Sequence, residues 1–125
     1  MTAEPKRELE PMKPPVPVRA TAKASPKLVL TVNNADNELI AYLNSEQVYD
    51  RKTEFDPTFN DVTDLSSKLV RGHNSLVILG INWGGPAHFA GNVTLDGKVL
   101  IPLTYALPNP GNGVVAAWSS IVDVA

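Results

Sequence analysis

An all-β domain, folded as a two-layer sandwich or jelly roll of about seven or eight antiparallel strands, is what this sequence predicts, on three observations. From Lys27 onward, short β-branched and aliphatic runs alternate with clusters of Asn, Asp, Gly and Pro. Helical periodicity is almost absent. Asp96-Gly97, set between two such runs, is the strongest short hairpin signal in the chain, because both residues accept the positive φ of a type I′ turn.

The elements follow in order. Residues 28–32 read as a strand and Asn33-Asn34-Ala35-Asp36-Asn37 as a polar turn. Residues 39–43 and 47–49 flank Asn44-Ser45 and form a hairpin. Residues 51–60 are a polar loop, and Asp61-Val62-Thr63-Asp64-Leu65 enters one short helical turn that Asp61 or Thr63 can cap. Arg71-Gly72-His73-Asn74 is the next turn. The run 76–81 is apolar at every position but Gly80, which predicts a central strand covered on both faces. Gly84-Gly85-Pro86 ends it. Residues 89–95 and 98–103 make the Asp96-Gly97 hairpin, and after the Pro- and Gly-rich turn at 108–113 one long strand, 114–124, closes the domain around Trp118.

The chain divides at residue 27. Residues 1–27 hold six of the eleven prolines and neither glycine nor an aromatic residue, so they read as a flexible or extended arm ahead of a sandwich domain at 28–125. Within the arm, Pro11-Met12-Lys13-Pro14 and Pro14-Pro15-Val16-Pro17 have loose P-x-x-P spacing, and residues 16–20 can lie as an edge strand on the body or on a neighbouring subunit. The net charge of −2 hides an asymmetry: the arm carries six Lys/Arg against three Glu, and the body five Lys/Arg against ten Asp/Glu. An acidic body argues against nucleic acid as the partner, because phosphate neutralisation needs a basic face. Zero cysteines exclude disulfides and thiolate metal sites. No apolar run reaches the length that spans a bilayer, and no secretory signal is visible, which predicts a cytoplasmic protein or part of a particle released by lysis.

Three stretches then resemble a known family. They are Asp36 to Asn44 with Val48, where a strand ends in Tyr42-Leu43-Asn44 and a hairpin return; Asp61-Val62-Thr63-Asp64-Leu65; and Gly72-His73-Asn74-Ser75-Leu76 leading to Asn82. Together they resemble the galactose-binding-domain-like jelly-roll sandwiches, which include the sugar-binding modules of many glycoside hydrolases. The likeness covers residues 28–83, with an echo at the Trp118 strand. Asn60 stands where that family usually has an aromatic or aliphatic residue, and Phe59 can fill the role one position earlier. The resemblance implies a carbohydrate-binding, lectin-like module with its site on strand-end loops.

Catalysis is poorly served. His73 and His88 both sit at turns, and no H-x-E, H-E-x-x-H, G-x-S-x-G or phosphate-cradling glycine loop occurs. Sugar binding needs an aromatic face for the C–H surface of the ring and short polar groups for its hydroxyls. Trp83 qualifies best, with Asn82, His88 and Asn92 as its companions. Taken alone, Trp83 reads first as a plug closing the end of the sandwich, and Trp118 as a core residue. Asp36, with its neighbouring asparagines, and Asp56, Asp61 and Asp64 could supply oxygens to a structural Ca²⁺, although turn and capping chemistry accounts for them more economically. The rival function is structural: an accessory protein of a virion or other large complex, docking on a protein partner or neighbouring subunit through residues 1–27, with homo-oligomers a natural form.

Overall fold

The computed structural model describes residues 16–125, and they form an all-β sandwich of eight strands. These are β1 (Val18–Ala22), β2 (Leu28–Leu43), β3 (Glu46–Thr53), β4 (Asp61–Asp64), β5 (Gly72–Asn82), β6 (Ala87–Leu95), β7 (Lys98–Leu107) and β8 (Gly113–Val124), with one 3-10 turn at Ser66–Lys68. The P-x-x-P spacings that begin at Pro11 and Pro14, and the segment 1–10, lie outside the described residues.

β2 organises everything else. Its first part pairs with β4 and β6, and its second part pairs with β3 from Asp36 and with β5 from Glu38. One strand therefore belongs to both layers: β4-β2-β6-β7 on one side and β3-β2-β5-β8-β1 on the other. The polar segment 33–37 is the corner between them, and the turn expected there does not form. Asn33 is the extra residue of a bulge, since Val32 pairs with Gly91 and Asn34 with the next residue back, Ala90. One inserted residue inverts the facing of all that follows. Leu28, Leu30 and Val32 are buried before it, and Ala35, Leu39, Ala41 and Leu43 after it. Gly91 permits the close approach: it has φ 149°, and a Cβ there would lie 2.1 Å from the Thr31 carbonyl oxygen.

Phe89 fills the core between the layers. A Cβ on Gly80 would lie 2.7 Å from its ring, so the glycine in β5 is what makes room. Trp118 meets Phe89 edge-on at 6.3 Å and Tyr105 tilts against it at 5.7 Å, which places Trp118 against the core as expected. Phe59 also packs on the core, beneath the Arg51 guanidinium at 4.0 Å.

The hairpin turns fall where the sequence puts them. Asn44 and Ser45 have φ of 51° and 70°, and Asp96 and Gly97 have 51° and 83°. Asn44 and Asn74 hold the two chain reversals at that end together: the Asn44 amide donates to Asn74 Oδ1 at 2.9 Å, and the Ser75 backbone N–H donates to Asn44 Oδ1 at 2.9 Å.

Four expectations need correction. β1 lies on its own chain but runs parallel to β8, fixed by the buried Ser120 hydroxyl donating to the Val18 carbonyl at 2.7 Å. The segment Asp61–Asp64 is a strand, because its backbone groups pair with β2, and the 3-10 turn starts only at Ser66. Neither Asp61 nor Thr63 caps that turn; Asp64 accepts the Ser66 N–H at 2.9 Å. Lastly, β5 is central but covered on one face only. Leu76, Ile78 and Gly80 point inward, whereas Val77, Leu79 and Ile81 are half-buried on the outside.

Candidate functional site

Among the described residues, exposed aromatic surface concentrates where β5 ends. Past buried Asn82 the outward face of β5 continues to Trp83, which is 60% exposed. Across from it, the β3–β4 loop lifts Phe55 to 95% exposure. Phe55 and Asp56 have φ of 66° and 55°, a pair of left-handed residues that turns the Phe55 side chain away from the core. Trp83 and Phe55 line a groove of about 540 Å³ with Asn37, Lys52, Thr53 and Glu54. Trp83 is therefore not a plug.

Asn37 at the sheet corner ties the groove together. Its Oδ1 accepts the Trp83 backbone N–H at 2.7 Å, while its amide donates to Asp36 at 2.7 Å and reaches the Thr53 carbonyl at 3.4 Å. On the other side, Asp56 anchors the loop that carries Phe55. It bonds His88 Nδ1 at 2.8 Å and accepts from the buried Asn34 amide. These bonds, that of His88 first, hold the Asp56 carboxyl below its ordinary range.

Carboxylates dominate the electrostatics. Asp36 and Glu38 are buried on β2, and burial pushes both carboxyls above their usual values. The backbone N–H of Asp56 partly offsets the shift for Asp36, whereas a hydrogen bond to Asp50 adds to that for Glu38. Lys52 is the cross-strand partner of Glu38, and its charge partly offsets the upward shift of that carboxyl. Glu54 projects from the groove wall with no cation within ion-pair distance among the described residues.

The residues expected to accompany Trp83 have different fates. Asn82 is fully buried and binds backbone, its amide donating to the carbonyls of Gly85 at 3.0 Å and Gly111 at 2.7 Å. It holds two loops and offers nothing to the groove. His88 lines a separate hollow of about 290 Å³ with Asp56, Pro86 and Leu107, and serves the groove only through Asp56. Asn92 sits in mid-strand between Thr31 and Pro102, about 13 Å along β6 from His88. It belongs to no strand-end loop.

The calcium candidates are also dispersed. Asp61 accepts from Tyr49 at 2.7 Å and pairs with Arg51 at 2.9 Å; burial, then the Asp61 bond, pushes the Tyr49 phenol far up. Asp64 is taken by Ser66, and Asp36 and Asp56 by the contacts above. Among the described residues, no three His, Cys, Asp or Glu side chains come together as a metal site.

Lys52, Thr53, Glu54 and Phe55 escape sequence reasoning, which reads 51–60 as a polar loop, whereas β3 runs on to Thr53. The available signal was one large apolar residue between Glu54 and Asp56-Pro57, in a loop with no apolar periodicity to bury it. A second hollow, about 390 Å³ beside Arg19, Thr21, Ile121 and Asp123, has no aromatic wall. Among the described residues, no helix is long and apolar enough to cross a membrane. Comparison with protein-family models, curated proteins and solved structures finds no match to this chain.

Proposed function

We propose that this protein is a non-catalytic binding module that docks a saccharide in the groove between Trp83 and Phe55. One observation carries the reading: two exposed aromatic side chains face one concave patch whose remaining walls are Asn37, Lys52, Thr53 and Glu54. An aromatic face receives the C–H surface of a pyranose, and amide, hydroxyl, ammonium and carboxylate groups at its edge match ring hydroxyls. The Trp83 backbone is fixed to the sheet corner by Asn37, which places that platform before ligand arrives and lowers the ordering cost of binding. Kinship with the galactose-binding-like sugar modules belongs to this proposal and rests on the sequence motifs alone.

Glycan-array screening followed by calorimetry with the full chain tests it. Trp83→Ala and Phe55→Ala are each expected to abolish binding while shifting Tm by no more than a few degrees, since both side chains are solvent-facing. Absence of any glycan ligand, or full affinity in Trp83→Ala, overturns the reading.

A second reading, assembly into a larger complex, is favoured by a different observation. The outer face of the β3-β2-β5-β8-β1 layer carries Ile40, Tyr42, Val77, Leu79, Ile81 and Ala117, in rows set by the strand register and outside the core cluster. Contiguous apolar surface of this kind marks interfaces. Leu79→Lys separates the two functions: under this second reading it abolishes self-association or incorporation and leaves glycan binding intact.

A further inference from the structure

We infer that the groove selects amine-bearing saccharides, with Glu54 receiving the ammonium group between the Trp83 and Phe55 rings. The inference rests on the saccharide reading above and adds the charge of the ligand to it. Three features converge on a cation. Two aromatic rings wall the groove, and their π faces attract an ammonium ion held close to them. Glu54 lines the same groove without an ion-pair partner among the described residues. The one lysine in the lining, Lys52, makes no ion pair among the described residues, but it lies cross-strand from Glu38 and its charge acts on that buried carboxyl, so carboxylates still outnumber cations around the groove. Asp36 lies within reach of the Glu54 and Asp56 charges and adds to the negative field, while His88 is engaged by Asp56. A uronate or sialylated sugar would meet repulsion there, and a neutral sugar would leave the field unused.

The test compares glucosamine oligomers, their fully N-acetylated counterparts, galacturonate oligomers and choline chloride by calorimetry at low and high salt. The expected result is that glucosamine oligomers bind about tenfold or more tightly than the acetylated series. That advantage should shrink in Glu54→Gln, persist in Glu54→Asp and weaken with salt, while galacturonate does not bind. Acetylated oligomers binding as tightly as the free amines would overturn the inference and leave the saccharide reading standing. Choline binding as tightly as the glucosamine oligomers would overturn the role of the sugar ring. No binding by any saccharide would remove both. A melting curve for Glu54→Gln that matches the parent confirms that a lost advantage reflects the charge.

Discussion

The backbone N–H of Trp83 donates to Asn37 Oδ1 at 2.7 Å, so the corner where β2 passes from one layer into the other also sets the position of the exposed aromatic platform. Corner and groove are one piece of structure.

Asn37→Ala removes three hydrogen bonds at the corner, to Trp83, Asp36 and Thr53. A cost of about 1–3 kcal/mol is expected in chemical denaturation, together with a loss of groove affinity larger than the stability change explains. A variant that keeps its full ligand affinity would show that Trp83 is placed by other contacts.

Gly91→Ala is expected to be among the most damaging single substitutions in the chain. Its φ of 149° and the 2.1 Å approach of a Cβ to the Thr31 carbonyl leave no room at the bulge. Destabilisation beyond about 3 kcal/mol is expected, read from the urea midpoint. A loss below about 1 kcal/mol would mean that the corner relaxes by slipping register.

The core and the outer face of the β5 layer predict different costs. Phe89→Ala, at the centre of the core, should cost about 3–5 kcal/mol. Leu79→Ala, on the outer face, should cost under about 1.5 kcal/mol in dilute solution. Equal costs would indicate that the outer face is covered under the conditions of measurement, which sedimentation would then reveal as self-association.

Acidification should first stabilise and then destabilise the fold. The Asp36 and Glu38 carboxyls are held above their ordinary values of 3.8 and 4.5, so the folded state takes up protons before the unfolded chain does. Their contribution to stability therefore grows as pH falls through those raised values. Asp56 and Asp64 are held below the ordinary 3.8, Asp56 by the His88 bond first and Asp64 by the Ser66 hydroxyl, and their contribution is lost as pH falls through the lowered values. The melting temperature should rise as pH falls from neutral toward the ordinary carboxyl values of 4.5 and 3.8 and drop below them, with a flatter rise in Glu38→Gln. A monotonic fall from neutral would contradict the burial of Glu38.

Much of the fold was legible from particular residues. Asn44-Ser45 and Asp96-Gly97 signalled their turns because positive φ is a local property of the backbone. Segment 33–37 misled for the same reason: Asn and Asp satisfy a bulged corner as readily as a reversal, and only the partners β6 and β5 distinguish them. At the site, Trp83 was visible as an aromatic residue at a strand end, but Phe55 was not, because a loop brings it across the sheet. Asn82 reads as a strand-end polar group in sequence, but the 108–113 turn binds its amide through the Gly111 carbonyl.

By itself the sequence determined the alternation of strands and turns, the absence of disulfide chemistry and the location of the largest strand-end aromatic residue, all of which depend on neighbours within a few positions. Tertiary structure decided which strand serves two layers, which outward residues stay uncovered and which side chains share the groove. Those outcomes depend on contacts between segments far apart in the chain, where burial and charge are set by what packs from the other side.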